Sequence, residues 1–99
     1  MSAQRTADRE AALELLHSQH EFPGLYIFRV VVLPVASAGV VSGVSAALGP
    51  DGHVRRVEEH PSRSGKYVSL RLHSHLPSPE VVLDVYEVIA SLDGVVMTI

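Results

Sequence analysis

KYVSLRLHSHL, residues 66–76, constrains the fold more than any other segment, because its apolar and polar residues alternate without a break. Successive side chains of an extended chain point to opposite faces, so Val68, Leu70 and Leu72 line one side. Tyr67, Ser69, Arg71, His73 and His75 line the other, and Ser74 alternates toward the dry side despite its hydroxyl. Such a strand asks for an apolar layer over one face only.

The flanking segments can supply that layer. LYIFRVVVLP, residues 25–34, is rich in β-branched and aromatic residues and ends in proline, as a buried strand does, with Phe28, Val30 and Val32 inward and Arg29 outward. The period then changes: Val40, Val44 and Leu48, with Val41 and Ala47 beside them, recur at helical spacing after Ser37 as a candidate cap, and Gly49 and Pro50 end the run. Its internal glycines each cost about 1 kcal/mol relative to alanine, so packing must hold this helix together.

PDG at 50–52 reads as a turn. VRRVEEHP at 54–61 reads as a polar strand whose Val54 and Val57 break alternation, as an edge strand can. From residue 78 a second helix is signalled by Ser78 as cap, Pro79 at its first position and Glu80 near the positive end of its dipole, with Val81, Val82, Val85, Ile89 and Leu92 as its stripe. Asp93 and Gly94 turn the chain into VVMTI, a last strand. At the other end, residues 1–6 read as a loose tail, after which Thr6 caps a helix through about residue 19, with Ala12, Leu13, Leu15 and Leu16 apolar; EFPG at 21–24 stops it.

The predicted order after the leading helix is strand, helix, strand, strand, helix, strand. The simplest burial lays both helices on one face of a four-stranded antiparallel sheet. The expected class is therefore α+β, a ferredoxin-like βαββαβ sandwich with an extra N-terminal helix: a tail and helix over 1–20, then a single domain over 21–99. The first and third strands belong in the centre and the polar second strand on an edge. The sheet's other face stays open unless the leading helix, a partner or a ligand shields it.

Composition narrows the functions. A formal charge of −3 gives no basic footprint for nucleic acid. The absence of cysteine removes disulfides, thiolate nucleophiles and zinc–thiolate clusters, and suits the cytoplasm. The N-terminal stretch mixes charges of both signs and does not read as a signal peptide, and no apolar run approaches the ~20 residues of a membrane helix. The expectation is a cytoplasmic domain that binds neither nucleic acid nor membrane.

The outward histidines raise a metal site. His73 and His75, two apart on a strand, can face one ion, with His60 or Glu58 of the neighbouring strand as third ligand; the plainer reading is a solvated polar face. Ser69 or Ser74 beside a histidine is the sole nucleophile-and-base pairing that can be drawn, and serines so placed are commonly solvent-facing. The open face lacks the aromatic two places after Tyr67 that RNA-binding relatives of this sandwich would need, and LPVASAG lacks the arginine of an acylphosphatase phosphate loop. The expectation is a protein that is not an enzyme and needs no cofactor. At PVASAG, small residues and free N–H groups at a helix start could receive a carboxylate or phosphate, making Ser37, Ala38 and Gly39 candidate ligand-binding residues; tight packing of a glycine-rich helix is the competing reading.

Three segments together, EFPGLYIFRVVV, SRSGKYVSLRL and VYEVIASLDGVVMTI, resemble the YbeD-like family of small bacterial proteins, a family of unknown function. The matching features are Phe22 and Pro23 before an aromatic strand with outward Arg29, Ser64 to Tyr67 entering the third strand, Tyr86 in the last helix, and the Val-rich strand Val95 to Ile99. The resemblance spans about residues 13–99. It implies a fold similar to ACT regulatory domains, which bind small effectors, often amino acids, at subunit interfaces, commonly at the entry to the first helix. It implies no catalytic residues. The expected function is that of a regulatory or adaptor domain, a homo-oligomer binding a small effector or a protein partner.

Overall fold

The structure is a computed structural model and describes residues 2–50 and 52–99, with side chains from Ala7 onward. A leading helix α1 (Ser2–Gln19) is followed by β1 (Gly24–Val32), a 3₁₀ turn (Pro34–Ala36), α2 (Ser37–Leu48), β2 (His53–Pro61), β3 (Val68–Leu76), α3 (Pro79–Ser91) and β4 (Val95–Thr98). The strands form one sheet in the order β2-β3-β1-β4, antiparallel throughout. This is the ferredoxin-like sandwich, with β1 and β3 central and β2 on an edge as the sequence predicts.

β3 pairs along its whole length with β1, from Val32 opposite Val68 to Gly24 opposite Leu76, and with β2 on its other side. Its inward residues Leu70, Leu72, Ser74 and Leu76 are fully buried, together with Phe28, Val30 and Val32 of β1. Val40, Val44 and Leu48 of α2 and Val82, Val85 and Ile89 of α3 complete this one core. Each such aliphatic side chain contributes about 1.5–3 kcal/mol on full burial, so the core outweighs the poor helix propensity of α2. Ser74 keeps its hydroxyl satisfied by donating to Leu72 O at 3.3 Å.

The irregular spacing of Val54 and Val57 has a physical cause. A bulge between Val54 and Arg56 inserts one residue into β2, so that Val54 faces Ser74 and Val57 faces Leu72 although three positions separate them. Both valines point to the helix side, and the phase of the outward residues shifts to Arg56, Glu58 and His60.

Three local expectations are corrected. The segment 2–6 expected as a tail belongs to α1, and Thr6 as a cap falls on a side chain outside the described residues, as Asp51 of the PDG turn does altogether. Ser37 does not cap α2: Ala36 holds that position in helical geometry, because the 3₁₀ turn already delivers the chain wound, and the Ser37 hydroxyl donates to Glu59 Oε1 at 2.7 Å. Ser78 does hold the cap position of α3 but makes no side-chain cap bond there.

α1 does not shield the open face of the sheet. It runs beside α3, tied by Arg9 Nη2 donating to Asp84 Oδ1 at 3.2 Å, while Leu16 packs against the core. Beyond its end the chain passes a cis Phe22–Pro23 bond, and His20 lies edge-on to Tyr26 with ring centroids 5.0 Å apart. Tyr26, Phe28 and Tyr86 continue this aromatic cluster on the helix side of the sheet. No helix among the described residues is long and apolar enough to cross a membrane.

Two glycines set close approaches. A Cβ on Gly43 would meet Leu92 Cδ1 at 2.8 Å, so α2 and the end of α3 touch there through the absence of a side chain. Gly94 has φ +83°, and a Cβ on it would collide with the Cβ of Ala36. Gly39 by contrast has nothing within 4 Å of an added Cβ. Gly94→Ala is expected to cost about 2–4 kcal/mol from left-handed strain plus the clash, and Gly39→Ala to gain about 0.5–1 kcal/mol from helix propensity. Urea denaturation of the two variants beside wild type checks both signs.

Candidate functional site

The sheet face away from the helices divides into a charged half and an apolar half. Because β3 alternates and β2 has changed phase at its bulge, His53, Arg56, Glu58 and His60 stand beside His75, His73, Arg71 and Ser69 respectively. On the other half, β1 presents Leu25, Ile27, Arg29 and Val31, with Met97 opposite Val31 and Ile99 beyond it bonded through its N–H to Arg29 O. Leu25 is 62% exposed, Met97 54% and Ile99 69%, unusually bare for apolar residues on or beside strands.

Glu58 is the hub of the charged half. Its Oε1 lies 2.6 Å from His73 Nε2, which donates to it, and its Oε2 lies 3.5 Å from Arg56 Nη2 and 3.8 Å from His60 Nε2. The hydrogen bond from His73 holds the Glu58 carboxyl below its ordinary value; partial burial opposes this, and the charges of Arg56, His73 and Arg71 assist it.

The histidines expected to share an ion separate into two groups. His73 and His60 both turn to Glu58, whereas His75 stacks on His53, with centroids 6.0 Å apart and planes 21° from parallel. Among the described residues no group of three or more His, Asp or Glu side chains is close enough together to hold a metal ion. Ser74 is buried, and its hydroxyl donates within its own strand to Leu72 O rather than to a histidine.

Ser37, Ala38 and Gly39 also part company. Ser37 and Ala38 line a shallow groove of about 560 Å³ between α2 and β2, with Val57 and Glu59 on its far wall. Gly39 opens onto a separate, more apolar hollow of about 430 Å³ with Leu33, Leu92 and Gly94. The Ser37 hydroxyl is already engaged by Glu59.

Sequence reasoning named Glu58 only as a substitute ligand, and missed Arg56 and His53 as neighbours of the outward histidines. The signal was present in the three-residue spacing of Val54 and Val57, which marks the bulge.

A family model described as "Protein of unknown function (DUF493)" matches residues 17–99, the family that the YbeD-like segments resemble. The solution structure of the C-terminal domain of the MgtC protein from Mycobacterium tuberculosis aligns with a TM-score of 0.68 at 18% sequence identity, covering 82% of this chain and 88% of that chain. At that identity the likeness establishes the fold alone. Comparison with curated proteins gives no match.

Acid titration tests the Glu58 hub. A carboxyl whose pKa is lowered by folding adds stability that is complete above its unfolded value, near 4.5, and disappears as pH falls through the lowered folded value. Glu58→Gln is therefore expected to flatten the acid limb of the stability curve while losing stability at neutral pH. Denaturation midpoints from neutral pH down through the carboxylate range read both effects, and an acid limb identical to wild type would contradict the assignment.

Proposed function

The chain belongs to the DUF493 family of proteins of unknown function, and from that premise we propose that it is a non-enzymatic, ACT-like regulatory or adaptor domain of the cytoplasm. It works as a homo-oligomer and receives a small effector or a protein partner. One observation carries this reading: α1 packs beside α3, so among the described residues no helix covers the second face of the sheet. A soluble domain that leaves Leu25, Ile27, Met97 and Ile99 together on such a face gains by burying them against a second copy.

The occupant favoured for the apolar half is that second copy, because the same patch on two chains is self-complementary about a two-fold axis and its charged neighbours would stay wet. The groove and hollow beside Ser37, Ala38 and Gly39 supply the effector site of this reading, where small side chains leave the start of α2 accessible.

Light scattering coupled to size exclusion is expected to return a dimer, and Met97→Glu to shift it to monomer with the fold intact by circular dichroism. A thermal-shift panel of amino acids, nucleotides and small acids is expected to yield at least one ligand that raises the midpoint. A strict monomer at high concentration that no member of the panel stabilises would overturn the reading.

A further inference from the structure

β4 pairs with β1 only over Val30 to Val32, and beyond that ladder the Ile99 N–H reaches Arg29 O at 3.0 Å. Arg29 therefore turns its backbone toward the β4 side, and by the two-residue period Ile27 and Leu25 do the same past the point where pairing ends. A half-open hollow of about 280 Å³ lies at this bare edge, walled by His20, Tyr26, Tyr86, Arg29, Leu25, Ile27 and Ile99.

The wall joins three kinds of group. The first is a cation: Arg29 lies directly opposite Arg71 across the β1–β3 ladder, and among the described residues no carboxylate makes an ion pair with it. An arginine flanked by another positive charge favours an anion. The second is a pair of phenols, Tyr26 and Tyr86, whose oxygens are 3.1 Å apart. Burial and the bond to Tyr26 raise the Tyr86 pKa, and the charge of Arg29 reaches it. Tyr86 hence keeps its proton, and where one hydroxyl donates to the other, the O–H of the accepting phenol is left to point outward as a donor. The third is aliphatic, Leu25, Ile27 and Ile99, and the His20 imidazole, edge-on to Tyr26, completes the wall.

We propose that this hollow binds a small monocarboxylate with a short branched aliphatic tail, its carboxylate held by Arg29 and the outward phenol proton, its tail against Ile27 and Ile99. The volume is at the small end of ligand pockets and suits an acid of a few carbons rather than a nucleotide. A compact dianion such as phosphate would satisfy the arginine but would leave the aliphatic wall wet, which sets the preference for a monoanion with a tail. The site is built within one chain. It is separate from the Ser37–Gly39 grooves, and because Leu25, Ile27 and Ile99 also belong to the face proposed to meet a second copy, isovalerate is expected to draw the dimer toward monomer as it binds.

Heteronuclear NMR titration of the full chain at constant ionic strength tests it with isovalerate, its neutral analogue isovaleramide, and inorganic phosphate. Isovalerate is expected to give saturable shifts centred on Tyr26, Ile27, Arg29 and Tyr86, and isovaleramide none. Arg29→Gln is expected to weaken binding at least about tenfold, as loss of a charge-assisted contact does. Tyr86→Phe and Arg71→Gln, which removes the flanking charge, each weaken it less, and Arg63→Gln, which removes a cation in the β2–β3 loop away from the hollow, retains close to wild-type affinity. Equal binding of acid and amide, undiminished affinity in Arg29→Gln, phosphate binding as tightly at the same residues, or no saturable shift at tens of millimolar isovalerate would each overturn the proposal. Light scattering on the same samples reads the oligomeric state separately, so failure of the dimer and failure of the carboxylate site are told apart.

Discussion

Everything else in the molecule follows from one strand that is hydrogen-bonded on both edges and dry on one face. β3 cannot move sideways, because β1 and β2 hold it, and it cannot turn over, because a slip of one residue would expose Leu70, Leu72 and Leu76 and bury Arg71. The apolar stripes of α2 and α3 must then settle on that dry face. Once they are there, Phe28, Val30 and Val32 have only one side to face, and the sandwich is closed on one flank.

The same constraint makes the other flank a surface. Its charged half is organised by Glu58, where one carboxylate gathers His73, His60 and Arg56 into a local network, leaving Arg71 and Arg29 side by side at the middle of the sheet. Such exposed networks contribute little stability for the number of charges involved. Their effect is on what can approach: the apolar half suits another apolar face, and the unneutralised arginine at its border suits an anion. The regulatory reading and the carboxylate site both rest on this division of a single face.

Alternation and helical period made most of this architecture legible in the sequence, since Val68 to Leu72 and Val81 to Ile89 each fix a face by residue type alone. The ends of the helices were less legible. Ser37 has the side chain of a cap, yet a 3₁₀ turn upstream made a cap unnecessary and its hydroxyl went to Glu59 instead. The position of α1 was not legible either, because its short stripe of Ala12, Leu13 and Leu16 fits a helix layer as well as a sheet face; Leu15, grouped with them by period, is 57% exposed. At the candidate site, His73 and His75 were rightly placed on the outward face. Their partners depended on the bulge in β2, which decides that Glu58 meets His73 and His53 meets His75. The tyrosine pair beside Arg29 joins β1 to α3 across 60 positions of sequence, a contact that only the folded chain displays.

The placement of every helix on one flank of the sheet is tested most directly by nuclear Overhauser contacts from α1. The account predicts that protons of Arg9 and Ala12 meet those of Leu83, Tyr86 and Ala90 on α3 and none on Ile27, Arg71 or His73. Contacts from α1 to those three residues would mean that the helix covers the sheet's second face, and would contradict it.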